Sequence, residues 1–218
     1  MTHFIPFFIF LNILSIGSSK SDEDYPIYLR GMNWSKVEEH LQEDLTLSDA
    51  IFPTKYVIDL SVNARGYGGA EKSTFNGSVV IYTNFKRATN FIELHSRGLT
   101  IQKAIITCYQ IECTPISVVN ITTNKSRESI AIFVNRKIIA NEEMILEIHY
   151  NGTADLSEYG LHEIWNPDPI EPRFVLAANN FPTGARFWFP CFDKTRQFAQ
   201  FKLQIEHSTE LNVFSNMK

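Results

Sequence analysis

An all-β fold, an antiparallel sandwich or open barrel, is what this 218-residue chain predicts. Three observations predict it. From Phe52 onward apolar and polar residues alternate at period two; the alternating runs are short; and clusters of Gly, Asn, Asp and Pro separate them. Alternation sends successive side chains to opposite faces of a strand, so one face can be buried while the other meets water.

The elements follow in order. Residues 4–14, FIPFFIFLNIL, are almost wholly apolar and lead into the small residues of 15–19, the pattern of a secretory signal peptide over 1–19. A membrane anchor is the alternative, but a helical span takes roughly 20 apolar residues, and Pro6 and Asn12 interrupt this shorter run. Residues 20–51 read as a linker and a short helix. KSDED at 20–24 is charged, and Trp34, Val37, Leu41 and Leu45 recur at three- and four-residue steps with Glu38, Glu39, Gln42 and Glu43 between them, an amphipathic helical pattern. Residues 52–218 form the β domain. Its opening strand alternates Tyr56, Ile58, Leu60 and Val62, and after a glycine-rich turn at 65–70 the next alternates Phe75, Gly77, Val79 and Ile81, so the two are antiparallel neighbours. Further strands are predicted over 91–95, 99–106, 116–122, 129–134, 144–150, 174–178, 198–206 and 211–215.

Composition narrows the function classes. A net charge of -4 gives no electrostatic footprint for nucleic acid, while 44% hydrophobic and 20% charged residues suit one globular domain with a core. Five N-x-S/T sequons, at Asn33, Asn76, Asn120, Asn124 and Asn151, agree with a secreted, glycosylated protein. The chain has three cysteines. Cys108 and Cys113 are spaced to close a small disulfide loop between strands if both point inward; two free thiols is the other reading. Cys191 has no histidine beside it in sequence to make it a nucleophile.

No metal site is read from the sequence. His162-Glu163-Ile164-Trp165-Asn166 has Asn where a zinc peptidase helix needs its second His, and with Pro167 following it reads as a loop. His40, His95, His149 and His207 are scattered without ligand spacing. Glu147 and His149 alternate with Ile148, a solvated strand face. No Gly-x-Ser-x-Gly motif supports serine hydrolase chemistry.

One stretch carries more than its composition. Asn179-Asn180-Phe181-Pro182-Thr183-Gly184-Ala185-Arg186-Phe187-Trp188-Phe189-Pro190-Cys191-Phe192-Asp193 resembles the signature near the end of the N-terminal domain of the aminopeptidase N family of zinc metallopeptidases, and Phe214-Ser215-Asn216-Met217 is similar to the phrase that follows it there. Phe75-Asn76-Gly77-Ser78-Val79, the segment Ile92-Glu93-Leu94-His95 with Leu99 and Ile101, and Leu146-Glu147-Ile148-His149-Tyr150 extend the resemblance over about 52–217. It implies an open, saddle-like β domain. It also implies that the family's zinc, held by an HExxH helix and a distal Glu, belongs to a domain whose motifs this chain does not contain, so no catalytic residue and no cofactor is assigned here.

The resemblance implies structural roles for Ala185, Arg186, Pro190, Cys191 (a buried thiol) and Asp193. It puts Asn179 and Phe181 at two positions where active relatives carry a Gln and then a Glu or Gln that helps hold a peptide's free α-amino group. A phenyl ring cannot accept a hydrogen bond as a carboxylate does. Lys194-Thr195 stands where relatives have Glu-Pro. The function so implied is a secreted, non-catalytic peptide- or protein-binding β domain, C-terminally incomplete relative to the family; the alternative is the front part of a zinc aminopeptidase that cleaves only when joined to a catalytic domain. Partners would be a peptide, a protein, a full-length relative, or a second copy at an open sheet edge. A third reading, a carbohydrate-binding module with Trp165 or Trp188 as a platform, requires those rings to be exposed.

Overall fold

The computed structural model describes residues 5–8, 47–65, 71–109, 114–154, 159–166, 173–181, 183–194 and 197–215, with the backbone alone at 5–8, 165–166 and 173–174. Its strands, in chain order, are β1 (Ile5–Phe8), β2 (Ile51–Asn63), β3 (Thr74–Phe85), β4 (Thr89–His95), β5 (Thr100–Cys108), β6 (Val118–Asn124), β7 (Ser129–Ile138), β8 (Glu143–Thr153), β9 (Gly160–Asn166), β10 (Arg173–Asn179), β11 (Gln200–Glu206) and β12 (Leu211–Phe214). The amphipathic segment at 34–45 and most of 1–19 lie outside the described residues.

Five strands form the main sheet in the order β11-β2-β3-β8-β5, three form a second as β4-β7-β6, and β9 pairs β10 in a separate hairpin. β2 and β3 run antiparallel, with Ile58 opposite Val79 and Leu60 opposite Gly77. The period-two pattern of β2 is realised as burial of Tyr56, Ile58, Leu60 and Val62. With Phe75, Val79 and Ile81 of β3 and Met144, Leu146, Ile148 and Tyr150 of β8 they share one core cluster with Ile92 and Leu94 of β4 and Ile130 and Ile132 of β7. The main and second sheets therefore bury their inner faces together, at roughly 1.5–3 kcal/mol per large apolar side chain. Outer-face residues Glu147 and His149 are half-exposed and 2.6 Å apart, with Ile148 buried behind them.

Two features depart from the sequence expectation. The sandwich is not wholly antiparallel: β11 joins the sheet edge parallel to β2, Gln200 beside Lys55 and Glu206 beside Ser61, and β12 pairs β1 in parallel as well. Parallel pairing needs a long crossover, and the rest of the domain supplies it for β11. Residues His162 to Asn166 are not a loop. They lie in β9, where the ladder to β10 pairs Glu163 with Leu176 and Asn166 with Arg173. Pro167 follows Asn166 in sequence and so withdraws no N–H from the ladder described for β9.

Candidate functional site

The signature segment begins where β10 ends. Asn179 Oδ1 accepts the Phe181 N–H at 3.1 Å, an Asx-type turn that uses the amide oxygen on the loop's own backbone. Gly184 N–H donates to the Asn180 carbonyl at 3.0 Å. A Cβ on Gly184 would stand 1.9 Å from the Asn179 carbonyl oxygen, so the tight loop demands glycine by close approach; its φ of -78° is ordinary. Trp188 Nε1–H donates to Asn180 Oδ1 at 2.7 Å. Phe181, at the position expected to face a substrate amine, is only 8% exposed.

A 3-10 turn, Ala185–Phe187, then carries Arg186 inward. Arg186 is 4% exposed. Its Nε donates to Asp193 Oδ2 at 3.1 Å and its Nη1 to Glu128 Oε2 at 3.3 Å. Arg97 pairs with the other Glu128 oxygen, donates its backbone N–H to the Arg186 carbonyl at 2.8 Å, and sets its guanidinium 4.6 Å from the Phe187 ring centre. Two carboxylates thus face two guanidiniums, and the more buried cation bridges both anions. Burying ions in this way is tolerable only because each is paired and hydrogen-bonded. Glu128 holds a left-handed backbone at φ 50°, while its carbonyl accepts the Ser96 N–H at 2.7 Å. For a non-glycine residue that conformation is costly, and these contacts hold it.

Beyond the turn, Cys191 and His95 exchange backbone hydrogen bonds of 2.8 and 3.0 Å, fastening the segment to the end of β4. Asp193 N–H donates to His95 Nδ1 at 3.1 Å, so that nitrogen is an acceptor and the ring proton sits on Nε2. Burial, reinforced by the positive charges of Arg186, Lys194 and Arg127, lowers the His95 pKa to about 2. A histidine does therefore stand beside Cys191, 96 positions away in sequence, yet so weak a base cannot take a thiol proton at neutral pH. Cys191 is a buried thiol outside any disulfide. Tyr56 OH accepts the Phe192 N–H at 3.1 Å, and burial raises its pKa well above the usual value. Lys194 donates to the Leu47 carbonyl and to Asp49 Oδ1 at 3.0 Å, tying the segment to the entry of β2; the same hydrogen bond lowers the Asp49 pKa.

The remaining candidates do other work. Glu163 is buried, accepting the Ser73 N–H at 3.0 Å and pairing with Arg65 at 3.4 Å. His162, its sequence neighbour, places Nδ1 3.0 Å from the Gly160 carbonyl. Among the described residues no three His, Cys, Asp or Glu gather as metal ligands, so no zinc chemistry is derived for them. Cys108 is disulfide-bonded, and Cys113 lies outside the described residues. Trp188 is buried at 1%, which removes it as a carbohydrate platform; the Trp165 side chain is outside the described set. Asn76, Asn120 and Asn124 are exposed, Asn151 is half-buried, and Asn33 is not among the described residues. The residues that sequence reasoning missed are Glu128 and Arg97, with no role assigned to His95 beyond its phrase. Only His95 carried a local signal, the I-x-L-H phrase.

The pattern of the peptidase M1 N-terminal domain matches residues 52–218, from β2 through the signature segment and beyond it. The chain belongs to the peptidase M1 family. Within that family it is similar to endoplasmic reticulum aminopeptidase 1 of Rattus norvegicus (28% identity, 80% of this chain and 18% of the relative) and to glutamyl aminopeptidase of Bos taurus (27%, 80% and 18%). Membrane alanyl aminopeptidase of Manduca sexta is similar at 24% identity over 88% of this chain and 20% of its own length. The chain therefore spans about a fifth of the length of these peptidase M1 relatives. The M1 N-terminal domain here is an all-β unit whose signature segment joins both sheets.

Proposed function

We propose that this chain is a non-catalytic peptidase M1 β domain that binds a protein partner and does not grip the free α-amino end of a peptide. The observation that carries the reading is the loop at 179–181: Asn179 directs its amide oxygen to the Phe181 N–H, and the Phe181 ring is buried. Within residues 179–181 an ammonium meets no carboxylate and no exposed ring face, only amides already engaged in the loop's own hydrogen bonds. Partner binding is supported by the edge of the main sheet, since β11 is the terminal strand of its order among the described residues. Secretion through the 1–19 leader is part of the proposal; relatives whose names place them at a membrane or in the endoplasmic reticulum favour it.

A second reading is favoured by the intact Arg186–Asp193 lock and by the much greater length of the relatives: the domain serves as the front part of a zinc aminopeptidase. Hydrolysis of aminoacyl p-nitroanilides separates catalysis by this chain from catalysis by a larger assembly. The purified chain, with zinc added, is expected to release no chromophore above buffer. Zinc-dependent release by the chain alone refutes the first reading.

A further inference from the structure

We propose that Asn76 is an N-glycosylation site whose sugar core lies in a polar hollow on the outer face of the main sheet. Strand alternation puts Asn76 and its sequon partner Ser78 on that face, opposite Ser61 and Asp59 of β2. His149 of β8 lies opposite Ser78, and Gln204 and Glu206 of β11 lie beside Asp59 and Ser61. These side chains line a hollow of about 480 Å³, and Asn76 itself forms part of its wall. A sugar presents hydroxyls and an acetamide, each needing donors and acceptors together. Ser61, Ser78, Gln204 and His149 offer both, and Asp59 and Glu206 accept. Further along the same face stand Val57, Val80, Tyr82 and Ile145 together with Lys55, Glu147 and Lys202, none of which lines the hollow.

Asn151 is the cross-strand partner of Asn76 and is also a sequon asparagine. Directly opposed residues on antiparallel strands have Cβ atoms roughly 4.5–5.5 Å apart, so the two sites share one patch of surface. Asn76 is exposed and lines the hollow, whereas Asn151 is half-buried and does not line it. Attachment breaks the bond from sugar C1 to the pyrophosphate of a lipid-linked oligosaccharide donor and forms a bond from C1 to Asn76 Nδ2. The amide gives up one proton, and the lipid pyrophosphate leaves with the bonding pair. The sugar covers the end of the sheet at which the sequon lies.

The inference rests on passage through the secretory route, and the experiment separates the two. The full chain is expressed in a eukaryotic cell, recovered from medium and membranes, and its glycopeptides are identified by mass spectrometry before and after native endoglycosidase treatment. Asn76 is expected to carry sugar that is released at least tenfold more slowly than sugar on exposed Asn124 in the native protein, with the rates converging on denaturation. Replacing Ser61 and Gln204 together by Ala is expected to speed native release. A bare Asn76 beside an occupied Asn124, or equal native rates, overturns the inference; sugar at none of the sequons overturns it together with the secretory reading.

Discussion

Replacing Arg186 by Met removes the cation that bridges Asp193 and Glu128 while keeping an unbranched side chain of similar reach. Glu128 retains Arg97, which is half-exposed, so its loss is partial. Asp193, whose side chain is 12% exposed, loses the 3.1 Å partner at its carboxylate. Breaking a buried pair by removing one partner costs about 3–5 kcal/mol, because the surviving charge stays desolvated. At about 2–4 °C per kcal/mol for a chain of this size, the variant is expected to melt about 6–20 °C lower. Asp193→Asn in the same background removes the stranded charge and is expected to recover part of the loss, giving a coupling energy above about 1 kcal/mol in a double-mutant cycle. Denaturant unfolding followed by tryptophan fluorescence reads all four proteins, and buried Trp188 reports from the same segment. A loss below about 1 kcal/mol for Arg186→Met, or no coupling, refutes the claim that this pair locks the signature.

Three further outcomes are expected. His95 titrates near 2 in the folded chain against 6.5 as its ordinary value, so the unfolded state binds the extra proton between them. Stability is complete above about pH 6.5 and falls toward pH 2 at about 1.4 kcal/mol per pH unit, and His95→Gln flattens that arm of a pH-dependent unfolding series. Gly184→Ala drives a methyl into the Asn179 carbonyl, and the nearest atoms it meets are all backbone, of Asn179 and Asn180. It is expected to cost about 3 kcal/mol and to lower the melting temperature by about 6–12 °C, read by calorimetry. Peptide mapping without reductant is expected to link Cys108 to Cys113 and leave Cys191 free; a Cys108–Cys191 peptide refutes the proposed pairing.

Much of the fold was legible because it rests on local pattern. The alternation of Tyr56, Ile58, Leu60 and Val62 against Phe75, Val79 and Ile81 gave two strands, their pairing and their buried face, since period two leaves no other arrangement with one face dry. The pairing of β11 with β2 was not legible, because Gln200 and Lys55 meet across 145 positions and neither residue encodes the other. The strand at His162 to Asn166 is masked in the sequence by the Pro167 that follows it, whereas ladder partners in β10 decide it. In the site, the motif located Arg186 and Asp193, but their environment depends on Glu128, which arrives from the turn before β7 in a conformation no propensity predicts. The same holds for Phe181: its failure as an amine acceptor follows from its chemistry, whereas its burial follows only from the folded loop.

The most direct test of the central claim, that the 179–181 loop does not grip a free amino end, is calorimetric titration of the purified chain with a tripeptide and with its Nα-acetylated form. The account predicts indistinguishable titrations, because Asn179 turns its amide oxygen onto the loop's own backbone and Phe181 is buried. A free-amine form that binds tenfold tighter, about 1.4 kcal/mol, and loses that advantage in an Asn179→Ala variant would contradict it.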